Sequence, residues 1–474
     1  MAFVTGKTFI LQNQRGKHLT RTEAKIYQFQ YIAQQRTEVM NRTPQVERTP
    51  YNDGAGQESS SLGELMSSPA VSKSRWLMLA FAFVATVINY LDRQTLSVLA
   101  PVMLERFKIS ATTYSHIIFA FMLAYTVMNG VSGPLLDRLG SKVGYALTIA
   151  WWSAAEMLHA FSGGAISLGV FRFLLGVGEA GNYPAGVKVI GEWFPPKERS
   201  LASGIFNSGA AVGAMLAPPL LAWTVLEMGW QASFAIVGAL GFVWLGAWLV
   251  FYRMPPNSPG ETETPPPAVW ALAKTRFVWQ FTLSKVFADP VWYFYTFWFP
   301  QYLKVGHGFT MREIGQTAWI PFFTAGMGNL AGGLLCSALL RFGLSPQIAR
   351  RVGVLFFSAL MVAAVPAALV HSSALAIALI STATFGYCGA LANVLAIPRD
   401  LFPKNAVASI WGLASMGSGF GGMLFSLVTG WLVDHYSFKP AFVLFGLTPI
   451  IAALLIWWLP RSIAPALRAG DQVS

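Results

Sequence analysis

Charge is what this chain has least of. Only 11% of its 474 residues are Asp, Glu, Lys or Arg, against about 25% in an ordinary soluble domain. With 54% hydrophobic residues, a water-soluble fold is excluded and lipid becomes the expected solvent. Cysteine is equally scarce: Cys336 and Cys388 both lie in apolar segments, so no disulfide framework is expected and helix packing accounts for both. The six histidines form no His/carboxylate metal constellation and no Ser/His pair, which argues against an enzyme and against a cofactor. The N-terminal residues lack an apolar core of secretory type, so no signal peptide is expected. Acidic residues are outnumbered 21 to 33, and the resulting net charge of +12 requires a partner or a topological cause.

What the chain does have, from Arg75 onward, is a succession of apolar runs about 20 residues long. The runs predict twelve spans, at 76–104, 113–135, 143–162, 167–190, 200–223, 231–252, 277–303, 313–338, 349–370, 375–397, 406–430 and 439–459. The expected fold is an all-α membrane protein with twelve transmembrane helices in two pseudo-symmetric six-helix bundles, 73–252 and 277–460. Residues 1–72 are polar and read as a disordered cytoplasmic tail, with Met66 as an alternative start. Between the bundles, 253–276 contains Pro255, Pro256, Pro259, Pro265, Pro266 and Pro267 with Glu261 and Glu263, the composition of a solvated cytoplasmic linker. Residues 461–474 form a second cytoplasmic tail. An internal repeat supports duplication: Ala202, Ser203 and Gly213 recur 206 positions later as Ala408, Ser409 and Gly419. Phe234 and Gly238 likewise match Phe442 and Gly446 at a spacing of 208. Two parallel six-helix repeats are a transporter plan.

The basic residues then explain the net charge. Arg138, Lys142, Lys197, Arg199, Arg253, Lys274, Arg276, Arg341, Arg350, Arg351, Arg399 and Lys404 fall in loops on one side, 12 in all. Arg106, Lys108, Lys304, Arg312 and Lys439, only 5, fall on the other. The positive-inside rule places both termini in the cytoplasm and makes the excess charge a loop bias, not a sign of nucleic acid.

Three constellations carry chemistry. The first is Asn89-Tyr90-Leu91-Asp92-Arg93, which puts an acid and a base slightly past the middle of the first span. Charge at that depth costs several kcal/mol and is rarely kept unless paired and used. The second, in the fourth span, is Arg172-Phe173-Leu174-Leu175-Gly176-Val177-Gly178-Glu179. A spacing of seven puts Arg172 and Glu179 on nearly one face, about 10 Å apart along the axis, where a mid-span acid suits proton carriage; a static buried ion pair is the alternative. The third follows the second span: Gly133-Pro134-Leu135-Leu136-Asp137-Arg138-Leu139-Gly140-Ser141-Lys142. Glycines at both ends allow a tight turn, with Asp137 facing a neighbouring helix start and Arg138 and Lys142 holding the cytoplasmic boundary. This stretch resembles the loop signature of the major facilitator superfamily.

Further segments narrow the resemblance. Tyr90, Asp92, Arg93, Tyr125, the segment from Arg172 to Glu179, and Glu192-Trp193-Phe194-Pro195-Pro196-Lys197-Glu198-Arg199 resemble the anion:cation symporter family. Similarity is greatest to bacterial hexuronate transporters, through Tyr145, Gly186-Val187-Lys188, Ala217-Pro218-Pro219 and Asp289-Pro290-Val291-Trp292, and spans about residues 72–460. The resemblance implies that Arg93 binds a substrate carboxylate, that Asp92 and Glu179 carry protons with Arg172 biasing their charge, and that Tyr90 and Tyr125 meet sugar hydroxyls. Three positions depart from the galactonate branch: Ala210 stands where it has glutamine, Leu395 where it has tryptophan and Ser415 where it has asparagine.

In the seventh span Lys285 and Asp289 are four apart and can pair, as a structural pair or as a gate, beside a kink-permitting Pro290. Trp292, Tyr293 and Trp298 are candidate sugar contacts there, with interface aromatics as the ordinary alternative. Asn393 in the tenth span and Ser415 in the eleventh are the remaining substrate candidates. Glu156 and His159, one turn apart in the third span, read as a local pair. The expected function is proton-coupled import of a sugar acid, a hexuronate by the resemblance, across the inner membrane by alternating access, for which a monomer suffices. The alternatives are import of another carboxylate such as an aldonate or aldarate, or an antiporter exporting organic anions or drugs, which Gly209, Gly213, Pro218 and Pro219 of the fifth span partly echo.

Overall fold

The computed structural model describes residues 69–459 apart from 196, 254–271, 273, 274 and 402–405. The expected tails, most of the 253–276 linker, and the loop lysines Lys274 and Lys404 therefore lie largely or wholly outside the described residues.

The described residues form helices joined by short turns, without a strand among them, and prolines and glycines set where several of the helices break. Helix α1 (Pro69–Phe107) is the first span. Helix α2 (Ala111–Leu158) holds the second and third, because at Gly140 the backbone leaves the helix with φ 73° and ψ 165°. A positive φ of that size costs a side-chain-bearing residue strain that glycine escapes. The turn expected of the loop motif is thus made by Gly140 alone; Gly133 lies in regular helix with open space where a Cβ would sit.

The fourth span is interrupted: α3 (Ala165–Glu179) ends at the acid itself and α4 (Asn182–Trp193) follows. Pro184 accounts for the break, since it cannot donate to the carbonyl of Ala180. That carbonyl accepts instead from Ser132 Oγ of α2 at 3.3 Å, so the freed group is not left bare. Helices α5 (Arg199–Met228) and α6 (Trp230–Phe251) complete the first bundle.

The second bundle begins with α7 (Arg276–His307), followed by α8 (Met311–Thr317) and α9 (Ile320–Arg341). A ninth span runs from α10 (Pro346–Leu360) through a 3-10 turn into α11 (Ala364–Ala367). It ends with α12 (Ser373–Val394), α13 (Ile397–Leu401), α14 (Val407–His435) and α15 (Phe438–Trp457).

Nine described stretches are long and apolar enough to cross a membrane, and they account for ten spans because one of them holds α2's two. The fourth and seventh spans fall outside that test. The fourth is broken beside Glu179, and the seventh carries Lys285 and Asp289.

The repeat is visible in the packing. Gly238 of α6 lies against Met157 of the third span, and Gly446 of α15 lies against Val365 of the ninth. Between the bundles, α1 meets α7, α2 meets α14, and α5 meets α8 and α9. In the half away from the Gly140 turn these contacts are hydrogen-bonded. Pro300 frees the carbonyl of Thr296, and Ser97 Oγ of α1 donates to it at 2.6 Å. Tyr114 OH donates to the Phe297 carbonyl at 2.9 Å. Asp434, near the end of α14, accepts from the backbone N–H groups of Ala111 and Thr112 at 2.9 and 2.7 Å, capping α2 from the opposite bundle.

Candidate functional site

Arg93 is 4% exposed and its guanidinium is spoken for. Nε and Nη2 both donate to Glu179 Oε2, at 2.9 and 2.8 Å. The plane also lies over three rings, 4.6 Å from the centroid of Tyr125, 5.0 Å from Tyr90 and 5.5 Å from Phe121. Such faces stabilise a desolvated cation. Gly176 makes the approach possible: a Cβ there would strike the Phe121 carbonyl and Ala124. Tyr293 of α7 stacks on Phe297 at 6.2 Å, and Phe297 meets Phe121 edge-on at 6.1 Å, so the second bundle approaches the rings around Arg93. The structure therefore gathers Tyr90, Arg93, Tyr125 and Glu179, and adds Tyr293.

The static ion pair between Arg172 and Glu179, the alternative reading of that spacing, does not form. Glu179 pairs with Arg93 of α1, not with Arg172 on its own span. Arg172 Nη1 donates to the Arg93 carbonyl at 3.3 Å, while its Nε and Nη2 have no hydrogen-bond partner although the residue is 2% exposed. Asp92 is fully buried and neither carboxylate oxygen meets a donor. It stands in the field of Glu156, Glu179 and Arg172. Glu156 makes the expected local approach to His159, Oε2 to Nδ1 at 3.8 Å, and it is also fully buried in the field around Asp92, a neighbourhood not expected from the sequence. Its signal was an acid deep in an apolar span with no cation at helical spacing.

In the second bundle the expected pair forms: Lys285 Nζ lies 2.8 Å from Asp289 Oδ1. Tyr387 OH of α12 donates to the same oxygen at 3.1 Å, and Trp292 stacks on the Tyr387 ring at 5.5 Å. A cavity of about 20 Å³, room for one water, is lined by both charged residues, Ser284, Ser358 and Tyr387. Asn393 is not brought to Arg93. Its Nδ2 donates to the carbonyls of Gly332 and Gly389, holding α9 against α12, and its side chain packs on Gly353. Trp298 is buried against Tyr114 and Phe438, and Ser415 is exposed. Neither is gathered with the Arg93 group.

At the Gly140 turn, Asp137 accepts from Lys188 Nζ of α4 at 2.7 Å, within one bundle, and Ser141 Oγ donates to Glu192 at 2.7 Å. Arg138 is exposed, and Lys142 lies 5.9 Å from the Tyr252 ring.

Buried acids and bases at the core of a helical bundle of twelve spans are features that comparison with known proteins assigns to a family. The profile of the Major Facilitator Superfamily matches residues 82–390 and 343–472. The chain belongs to that superfamily. Among its superfamily relatives is the hexuronate transporter of Escherichia coli strain K12, 35% identical over 417 residues, which cover 84% of this chain and 96% of that protein. The galacturonate transporter of Dickeya chrysanthemi is 37% identical over 279 residues, covering 55% of this chain and 81% of that one. A bacterial homolog of the human lysosomal transporter Spinster, solved inward-facing and unoccupied, superposes with a TM-score of 0.64 at 19% identity, covering 85% and 98% of the two chains, and supports the fold. The superfamily chain is a multi-pass membrane transporter, and its named relatives are transporters, not enzymes.

Proposed function

We propose that this transporter imports a hexuronate together with protons across the bacterial inner membrane, as a monomer, with both termini in the cytoplasm. The observation that carries the reading is the occupation of Arg93 by Glu179. A substrate carboxylate needs the two parallel donors that Glu179 now holds. Protonating Glu179 removes its charge and releases the guanidinium; losing that proton takes the guanidinium back and expels the substrate. Proton and substrate binding are thereby linked through one residue. Asp92, adjacent in the chain, shares the proton, and Arg172 sets the field of both. Tyr90 and Tyr125 flank the guanidinium and offer hydroxyls to the sugar, with Tyr293 closing from α7. The halves then rock about this point.

Names of the relatives, hexuronate and galacturonate transporters, favour an acidic sugar with one carboxylate. Galactarate/D-glucarate and galactonate relatives, each 29% identical, are the neighbouring substrate classes. Gly209 and Gly213 bring α5 close to the backbone of Phe83 and Val87, a packing role that serves import and export alike. The test is uptake into proteoliposomes under an imposed pH gradient, with competing uronates, aldonates, aldarates and neutral sugars. Galacturonate and glucuronate should compete best, and acidification outside should drive accumulation. Competition by neutral glucose without competition by uronates, or net efflux against the gradient, would sink the proposal.

A further inference from the structure

The buried cluster of the first bundle does not balance. It contains three carboxyl groups, Asp92, Glu156 and Glu179, and two guanidiniums, Arg93 and Arg172, none more than 4% exposed. His159 adds no charge, since its Nδ1 hydrogen goes to the Ala155 carbonyl at 2.8 Å and its buried Nε2 has no partner. The helices packed around Glu156 supply no other ion. Helix α1 presents Asp92 and Thr95, α3 presents Arg172 and Glu179, and α6 packs Gly238 and Gly241 on Met157 and Ser153. Between Trp230 and Phe251, α6 has no titratable side chain. With every carboxyl ionised, the cluster carries one uncompensated negative charge inside a membrane protein, a cost of several kcal/mol. One proton removes it. A bound substrate carboxylate adds another negative charge and calls for a second proton.

We propose that the empty transporter keeps one resident proton in this cluster, that Glu156 is its seat, and that only the second proton travels with substrate. The inference rests on the symport reading above. Glu156 and Asp92 both have oxygens without a donor, but the span of Glu156 packs at Trp152, Ser153 and Met157 on glycines of α3 and α6 within its own bundle. Asp92 and Glu179, by contrast, adjoin the Arg93 position that the substrate takes. The three acids titrate as a unit, and the seat is the one whose neutral substitute the cycle tolerates.

The test compares wild type with Glu156→Gln, which is neutral at every pH. Counterflow of galacturonate, with equal pH on both sides, should fall in wild type at alkaline pH as the resident proton leaves. In Glu156→Gln that alkaline limb should move up by at least about one pH unit, while the ratio of protons to substrate stays the same. An unmoved limb, or a ratio lower by one proton, would overturn the proposal. If Glu156→Gln does not fold, infrared spectra of the substrate-free wild type and of Glu156→Asp decide. A protonated carboxyl band at neutral pH that shifts in Glu156→Asp supports the inference, and absence of such a band refutes it. Uptake by wild type without any proton dependence, with the band intact, would remove the symport reading and leave the resident proton standing.

Discussion

The two bundles share a packing plan and differ in their charges. Gly238 and Gly446 do the same job 208 positions apart, each letting the last helix of its bundle approach the third. The acids and bases have no such correspondence. Among the described residues, the first bundle buries three carboxyl groups with two guanidiniums, whereas the second buries the pair of Lys285 with Asp289, steadied by Tyr387. Duplication kept what packing needs, and the chemistry settled in one copy. Unbalanced buried charge can change its proton count during a cycle; balanced charge holds a shape.

The largest expected effect removes the centre of the unbalanced half. Two charge-assisted hydrogen bonds of about 1.5–3 kcal/mol each predict that Arg93→Ala lowers galacturonate uptake at least about 100-fold. Arg93→Lys should rescue little, because an ammonium lacks the parallel donors. Lys285→Ala, the matching deletion in the second bundle, should cost less than about tenfold. Equal losses in a radiolabelled uptake assay would erase the asymmetry.

Next comes the proton. Glu179→Gln frees Arg93 permanently, so substrate exchange continues while coupling fails. The ratio of gradient-driven accumulation to counterflow should drop at least about tenfold. A ratio equal to that of wild type would take the coupling role away from Glu179.

The balanced pair makes a different prediction. Removing one partner of a buried pair costs about 3–5 kcal/mol, and replacing both with apolar residues is close to neutral. Lys285→Met alone should therefore lower the melting temperature in detergent, and Lys285→Met with Asp289→Leu should restore it. If the double variant melts below the single one, the bond from Tyr387 to Asp289 contributes more than the ion pair does.

Much of this was readable in the residues. Apolar runs of about 20 give spans whatever surrounds them, and Gly140 announced its turn because few other residues tolerate a positive φ. Lys285 and Asp289 were legible because their pairing is local to one helix. That the charges of the first and fourth spans belong together was legible too, because buried charges need partners; which guanidinium takes Glu179 was not, since helical spacing says nothing about a residue 86 positions away. Nor does anything within the span of Glu156 reveal that Asp92 and Arg172 surround it. Pro184 could have disclosed the break beside Glu179, and Pro300 the free carbonyl at Thr296, had each been read four residues back.

The smallest effect concerns how the two bundles part. Asp137 at the Gly140 turn bonds to Lys188 inside its own bundle, so it does not resist separation. Asp434 at the other end caps α2 across the interface, and Thr112 Oγ1 reaches the Gly430 carbonyl at 3.4 Å beside it. A carboxylate at a helix N-terminus is worth about 1 kcal/mol, which corresponds to about fivefold in the equilibrium between closed and open forms of that end. Asp434→Asn keeps an acceptor oxygen and loses the charge, so it should shift that equilibrium toward opening by about this factor. Spin labels at positions 106 and 304, near that end of α1 and α7, would read the change as a growing long-distance population. Asp137→Asn should leave the same distances alone. If the two variants behave alike, the cap at Asp434 is a passive contact, and the closed end owes its stability to the hydrogen bonds from Ser97 and Tyr114 to α7.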